Sequence, residues 1–174
     1  MALVVRRAAA GDVERLAEVH VCCWQETYRG MLSAEFLASQ NPASRLPLWR
    51  HLLEAAEPAD AWVATDAGTV VGFAGVRRKP GAASHGFGPP SSGDLELWGL
   101  YLLESHQGKG LGRRLLEAAL DGEAASLWVA TDNARAISFY GHFGFAADGA
   151  ADVIPEWENL REIRMIRPRQ APLR

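Results

Sequence analysis

The sequence predicts a single domain of the α+β class that covers residues 1–174. Its 174 residues are 48% hydrophobic, which suffices for one hydrophobic core. Segments with the two-residue period of strands alternate with segments of helical period. Two strand-like runs, 61–65 and 70–77, are joined by a short turn that contains Gly68, which predicts a hairpin and therefore argues against a purely parallel sheet.

The first third of the chain predicts one strand followed by helices. The β-branched segment Leu3–Ala8 predicts a strand, and Asp12 is placed to cap the helix that follows. Residues 33–56 contain two prolines among helix formers and predict two short helices. The apolar residues of the first helix recur at a spacing close to 3.6: Val13, Leu16, Val19 and Cys23.

The second half of the chain predicts three more strands and two helices. The Gly-, Pro- and Ser-rich segment 80–93 predicts a loop, and the apolar run 94–103 after it predicts a central buried strand. A helix is then expected from about Gly108 to Leu120. The remaining elements are a strand at 126–131, a helix that begins near Asn133, and a strand at 159–168 that is ended by Pro168. With the first strand and the hairpin, these segments give six strands.

The composition excludes several classes of function. The net charge of −3 offers no general attraction to nucleic acid or to an anionic membrane surface. The sequence shows no apolar run of about 20 residues and no signal-peptide pattern, so it predicts a cytoplasmic protein. The only cysteines, Cys22 and Cys23, are adjacent on a predicted helix and point apart, so neither a disulfide nor a metal site is expected.

Three closely spaced glycines mark a candidate anion site. The stretch "SHQGKGLGRRLLEAAL" (Ser105–Leu120) places Gly108, Gly110 and Gly112 where a strand runs into a helix. Together they cost about 2–3 kcal/mol of helix propensity. The free N–H groups and the positive end of the helix dipole attract an anion there, and glycines let the backbone approach it closely. A few charge-assisted hydrogen bonds of about 1.5–3 kcal/mol each outweigh that cost.

Two familiar phosphate-binding patterns do not fit this stretch. A dinucleotide-binding fingerprint requires a parallel βαβ unit, which the predicted hairpin disfavours. A P-loop requires a Gly-Lys-Ser/Thr ending, which is absent here. A Gly-x-Gly pair near a helix start is also common in proteins without any ligand, so the stretch alone does not establish phosphate binding.

Three segments together resemble the GNAT N-acetyltransferase superfamily. "QGKGLG" (Gln107–Gly112) is similar to the Gln/Arg-x-x-Gly-x-Gly/Ala signature of that family. "ATDNARAISFYGHFGF" (Ala130–Phe145) resembles the second half of its coenzyme A site, and "HVCCWQETYRGML" (His20–Leu32) resembles its first-helix region. The resemblance implies a central, mostly antiparallel twisted sheet that is flanked by helices, with the fourth and fifth strands splayed to admit acetyl-CoA.

The resemblance also implies which residues hold acetyl-CoA. The main chains of Leu100 and Leu102 are expected to bind the thioester and pantetheine, and the amides of 107–112 to surround the diphosphate. Asn133 is expected either to contact the cofactor or only to cap its helix. The implied cofactor-binding set is Leu100, Leu102, Gln107, Gly108, Lys109, Gly110, Leu111, Gly112, Arg113, Asn133 and Tyr140.

Two side chains are candidates for proton transfer. An amine of pKa about 10.4 is neutral only about once in 10³ at pH 7, so it must lose a proton before it attacks. Glu96, on the strand before the glycine turn, is placed like the general base of histone-acetylating members, and otherwise is a solvated carboxylate. In the resembling motif, the hydroxyl of Tyr140 faces the leaving thiolate; otherwise Tyr140 is a core residue.

The acceptor is a small-molecule or peptide amine whose identity stays open. Polyamines, aminoglycosides, amino acids and protein N-termini are all compatible with the sequence. Trp24 and Tyr28 are the candidate acceptor contacts, although aromatic residues at helical spacing usually pack inward. A noncatalytic acyl-CoA sensor and a nucleotide or phosphometabolite binder are the alternative functions, and a homodimer is compatible with the family.

Overall fold

A computed structural model describes residues 2–55, 60–78 and 95–169. Seven strands form one hydrogen-bonded sheet in the order β1-β2-β3-β4-β5-β7-β6. The strands are β1 (Leu3–Arg7), β2 (Ala61–Asp66), β3 (Thr69–Arg77), β4 (Leu95–Leu102), β5 (Ala125–Ala130), β6 (Ala146–Ile154) and β7 (Leu160–Arg167). The helices are α1 (Val13–Thr27), α2 (Ala34–Ser39), α3 (Pro42–Leu53), α4 (Leu111–Leu120) and α5 (Ala134–His142).

The strand pairing confirms the predicted mixed and largely antiparallel sheet. The pairs β1–β2, β2–β3, β5–β7 and β6–β7 are antiparallel, whereas β4 and β5 are parallel. The β4–β5 ladder joins Leu95 to Ala125 and Glu96 to Ser126, at the beginning of both strands. Such a short ladder is what the expected splay of these two strands requires.

The chain divides into two compact units, residues 1–76 with 99–119 and residues 77–98 with 120–174. The first unit contains the β2–β3 hairpin, helices α1 to α4 and the second half of β4. Its core includes the fully buried residues Leu16, Trp49 and Phe73. The second unit contains the start of β4 with β5, α5, β6 and β7. A single domain over residues 1–174 therefore stays a prediction.

One strand was missed by the sequence analysis. Strand β6 lies at the edge of the sheet and is mostly exposed, and its sequence AADGAADVI has neither β-branched enrichment nor regular alternation before its last residues. Pairing with β7 creates this strand, since the ladder runs from Ala146–Ile166 to Ile154–Leu160 with an irregularity between Ala147 and Ala151. An edge strand that contains glycine carries a weak local signal.

Two expectations about helix starts were wrong. Helix α4 begins at Leu111 rather than near Gly108, because Gly108 and Gly110 adopt left-handed conformations that a helix excludes. The Asp12 side chain does not cap α1. Its carboxylate instead accepts the N–H of Ala9 at 2.9 Å and pairs with the Arg6 guanidinium at 2.7 Å and 2.8 Å.

The remaining helix predictions of the first unit are confirmed, since α2 and α3 lie within residues 33–56. Cys22 and Cys23 are both free thiols. The predicted loop at 80–93 lies outside the described residues. No helix within residues 2–55, 60–78 and 95–169 is long and apolar enough to span a membrane. The same residues contain no cluster of three side chains able to hold a metal ion.

Candidate active site

The glycine turn lies between β4 and α4, where it exposes backbone amides at a helix N-terminus. Gly108 and Gly110 have φ of 74° and 79°, and both residues are solvent-exposed. The Gly110 carbonyl accepts the N–H of Arg114 at 3.2 Å, so the amides that precede Arg114 lie in the first helical turn. These amides and the helix dipole give the turn the electrostatics of an anion site.

The basic side chains of the turn differ in their surroundings. Lys109 is exposed, and Arg113 is exposed while its Nε donates to Glu117 Oε1 at 2.7 Å. Arg114 Nη1 donates to the carbonyl of Leu3 at 2.8 Å, so this arginine is hydrogen-bonded to β1. The backbone amides therefore supply donors for an anion, and Lys109 and Arg113 add positive charge, that of Arg113 being shared with Glu117.

Gln107 connects the turn to the end of β4 by a side-chain hydrogen bond. Its Nε2 donates to the Leu102 carbonyl at 2.8 Å, whereas its Oε1 is buried and has no hydrogen-bond partner among the described residues. A buried acceptor without a partner costs about 1–3 kcal/mol. A ligand N–H or hydroxyl would satisfy this oxygen, so the residue fits a bound cofactor that offers such a donor.

Gly72, which the sequence analysis did not single out, fixes the position of β4. A Cβ atom at Gly72 would lie 2.6 Å from Leu102 Cδ1 and 2.6 Å from the Tyr101 carbonyl oxygen. Only glycine therefore allows β3 to approach β4 this closely. The Leu103 N–H donates to the Val71 carbonyl at 3.0 Å next to this point. In the sequence, the only sign of this role of Gly72 is that it is a glycine inside a predicted strand.

The two candidate acceptor contacts lie in an aromatic cluster of the first unit. Trp24 is 2% exposed and Tyr28 is 6% exposed, with their ring centroids 4.7 Å apart. The Tyr28 hydroxyl lies 3.3 Å from the hydroxyl of Tyr101, which is on β4 between Leu100 and Leu102. Trp24 is thus mainly a packing residue, whereas Tyr28 brings a polar group to β4.

His20 and Arg45 belong to the same cluster. The His20 ring lies 5.0 Å from the ring of Phe73 and 5.7 Å from that of Tyr101, and its Nδ1 has no hydrogen-bond partner among the described residues. Burial, together with the nearby charge of Arg45, lowers the pKa of His20 to about 3. His20 is therefore a neutral imidazole at physiological pH.

Glu96 in the second unit is buried and paired. Its carboxylate is 2% exposed, and Oε1 accepts a hydrogen bond from Arg77 Nη2 at 2.7 Å. The guanidinium compensates a charge that burial alone would make costly. The alternative interpretation of Glu96, a solvated carboxylate, is therefore wrong, and its role as general base stays a prediction. Arg77, at the end of β3, was missed because no local pattern links it to Glu96.

The second unit also holds Asn133 and Tyr140. Asn133 is the N-cap of α5, and its Oδ1 accepts the N–H of Ala136 at 3.0 Å. Tyr140 is 8% exposed, with its ring centroid 5.3 Å from that of Phe139 and 5.7 Å from that of Phe145. Both structural roles anticipated for these residues are therefore present, and neither excludes contact with a ligand.

The structure assigns the predicted residues to both units. Glu96, Asn133 and Tyr140 lie in the second unit. The first unit contains the acceptor candidates and the cofactor turn, namely Trp24, Tyr28, Leu100, Leu102, Gln107, Gly108, Lys109, Gly110, Leu111, Gly112 and Arg113.

Comparison with known proteins finds relatives that are named as N-acetyltransferases. The chain is 34% identical to the uncharacterized N-acetyltransferase YuaI of Bacillus subtilis. The 119 aligned residues are 66% of this chain and 60% of the relative. It is 37% identical over 100 residues to the N-alpha-acetyltransferase RimI of Mycobacterium tuberculosis, which is 55% of this chain and 58% of the relative. The matched region thus spans about three fifths of the length of these two relatives.

Solved structures share the fold. The PaiA N-acetyltransferase of Thermoplasma acidophilum, crystallised in complex with coenzyme A, superimposes with a TM-score of 0.68 at 22% identity, over 97% of this chain and 99% of that one. The sequence model of the acetyltransferase (GNAT) family matches residues 13–145, which include α1, the glycine turn and α5. The chain therefore belongs to the GNAT acetyltransferase family.

Proposed function

We propose that this protein is an acetyl-CoA-dependent N-acetyltransferase in which an amine attacks the thioester directly in a ternary complex. The observation that carries the proposal is the turn at 107–112. There Gly108 and Gly110 hold left-handed torsions at the N-terminus of α4, directly after β4. Family membership and the names of the relatives support it.

The chain binds the cofactor chiefly through its backbone. We assign the diphosphate to the amides of residues 107–112 and the pantetheine arm to main-chain groups of Leu100 and Leu102. Lys109 and Arg113 add positive charge, and the buried Oε1 of Gln107 accepts a donor from the ligand. Acetyl-CoA supplies an acetyl group activated as a thioester.

Glu96 receives the amine proton in this proposal, directly or through water. Holding an amine of pKa about 10.4 neutral at pH 7 requires about 4–5 kcal/mol. Arg77 pairs with the buried Glu96 carboxylate at 2.7 Å, so a carboxylate oxygen that can accept a proton lies away from bulk water. The proposal thus gives the buried ion pair a role besides stability.

Tyr140 stabilises the departing thiolate, and Asn133 orders the start of the helix that carries it. The rings of Phe139 and Phe145 pack against the Tyr140 ring, with centroids 5.3 Å and 5.7 Å away. A fixed hydroxyl donates a proton or a hydrogen bond at little entropic cost. This assignment rests on the family resemblance.

Release of free thiol from acetyl-CoA in the presence of an amine panel tests the proposal. The panel contains polyamines, aminoglycosides, amino acids and peptides, and calorimetry with acetyl-CoA runs in parallel. We expect binding together with amine-dependent thiol release. Binding without turnover on any amine would indicate a noncatalytic sensor. No binding at millimolar acetyl-CoA would reject both the acetyltransferase and the sensor.

Sedimentation of the same sample tests a homodimer, which stays a prediction.

A further inference from the structure

Arg45 is a half-buried cation that has no carboxylate partner among residues 2–55, 60–78 and 95–169. Its Nη2 donates to Gln40 Oε1 at 3.2 Å, and its guanidinium lies 5.5 Å from the centroid of the Trp24 ring. Its Nε is buried without a hydrogen-bond partner among the described residues, and no described carboxylate pairs with it. Arg164, by contrast, pairs with the Asp148 carboxylate at 2.7 Å.

The position of Arg45 in its helix is also electrostatically unfavourable. It lies in the first turn of α3, which begins at Pro42, and a positive charge there opposes the helix dipole. Burial lowers the pKa of Arg45, which shows the loss of hydration, although an arginine stays protonated. A charge that loses part of its hydration without a charged partner is destabilising, and a bound anion would compensate it.

A second buried group points to a ligand at the same place. His20 is 7% exposed, and its Nδ1 has no partner among the residues the structure describes. The two groups border the same aromatic cluster. The Arg45 guanidinium lies 5.5 Å from the Trp24 ring, which packs 4.7 Å from Tyr28, and the His20 ring lies 5.7 Å from that of Tyr101. A neutral imidazole can donate one hydrogen bond. The Tyr28 and Tyr101 hydroxyls, 3.3 Å apart, lie in the same cluster.

We propose that Arg45 binds an oxyanion carried by the acceptor, so that the acceptor is a zwitterion such as an amino acid. The cluster adjoins Tyr101, which lies between Leu100 and Leu102, the residues assigned to the thioester arm. An acceptor anchored at Arg45 would thus present its amine toward the acetyl group. This inference rests on the proposed function. It disfavours polyamines and aminoglycosides, which carry only positive charge and which a buried cation repels.

The first test uses acceptors in matched pairs. Each amino acid is compared with its carboxamide and with its aminophosphonate analogue, and spermidine and a peptide N-terminus complete the set. We expect kcat/KM to be about 10- to 100-fold higher for the anionic member of a pair, as a charge-assisted hydrogen bond provides. The preferred anion distinguishes a carboxylate from a phosphonate. Equal or better turnover of amides, spermidine or the peptide would overturn the inference.

Substitution of Arg45 ties this preference to the residue. R45Q should abolish the preference by raising KM for the anionic acceptor, while the KM for acetyl-CoA is unchanged. R45K keeps the charge and should retain part of the preference for the anionic acceptor. R50Q is the matched control, because Arg50 is exposed on the same helix and only reaches Glu14 at 4.0 Å. Discrimination retained in R45Q would contradict the proposal.

A stability measurement separates this inference from the proposed activity. Because the charge is unpaired, R45M should leave Tm unchanged or raise it, whereas a structural arginine would lower Tm on removal. Glycine, glycinamide and inorganic phosphate are then added in the thermal scan without acetyl-CoA. Stabilisation of wild type and R50Q by an anionic probe, but not of R45M, supports the site. A lowered Tm of R45M, or no response of wild type, rejects it whether or not turnover is found.

Discussion

Arg77 Nη2 lies 2.7 Å from Glu96 Oε1, and the carboxylate is buried while the guanidinium remains 38% exposed. The pair joins the end of β3 to the start of β4 across 19 positions of the chain. The guanidinium compensates the charge of a carboxylate that the fold has removed from water. Two kinds of variant separate its structural role from its proposed chemical role.

E96Q should lower kcat by about 10²–10⁴-fold, the usual loss of a general base, and flatten the acidic limb of the pH–rate profile. Steady-state rates between pH 5 and 9 measure both effects. R77L/E96L is the structural control, since replacing both partners by apolar groups is often neutral for stability. We expect it to fold but to be inactive. An unchanged pH profile in E96Q would remove Glu96 from the mechanism.

Y140F should reduce kcat by about 10²–10⁴-fold with little change in acetyl-CoA affinity. The substitution retains the ring that packs on Phe139 and Phe145, and therefore it should barely change Tm. Turnover measured with saturating acetyl-CoA, together with calorimetry, distinguishes the two effects. Wild-type kcat in Y140F would show that the residue is only part of the core.

G110A should weaken acetyl-CoA binding at least tenfold. The added Cβ has open space around it, but a φ of 79° costs an L-residue about 1–2 kcal/mol, so the turn will change its torsions. G11A is the matched control, because Gly11 also has open space and lacks a positive φ. Calorimetry on both variants checks the effect. Equal losses of affinity in the two variants would show that the torsion is not the cause.

The free energy of unfolding should fall by about 2 kcal/mol between pH 6 and pH 4.5 because of His20. Its pKa is about 3 in the folded protein and about 6.5 in the unfolded chain. In that window the unfolded chain binds the extra proton, so acid favours unfolding. Asp12, whose pKa the Arg6 hydrogen bond lowers, contributes with the same sign at lower pH.

Urea titrations of wild type and H20N at several pH values measure this dependence. Because H20N cannot bind the proton, its free energy of unfolding should vary less across the window by about 2 kcal/mol, whatever its absolute value. The same pH dependence in both proteins would show that His20 is not buried as a neutral group.

N133A should destabilise the protein by about 1 kcal/mol, since it removes the Oδ1 acceptor that caps α5. N133S retains a cap and should recover most of that loss in chemical unfolding. If N133S nevertheless binds acetyl-CoA more weakly than wild type, the amide also contacts the cofactor. Equal affinity in N133S would limit Asn133 to capping.

The sequence by itself determined the features that depend on a few neighbouring residues. Helical periodicity predicted α1, the turn and β-branched runs predicted the β2–β3 hairpin, and the spacing of Gly108 and Gly110 predicted a backbone anion site. Each of these signals is local, because torsional preference and amphipathic periodicity act over a few residues. The family resemblance also rested on such short motifs.

Only the tertiary structure decided the features that join distant segments. Strand β6 has no local signal and exists by pairing with β7. The partner of Glu96, the approach of Gly72 to Leu102, and the unpaired charge of Arg45 likewise depend on which residues the fold brings together. Desolvation and ion pairing are set by the three-dimensional surroundings of a group, and therefore no pattern along the chain could reveal them.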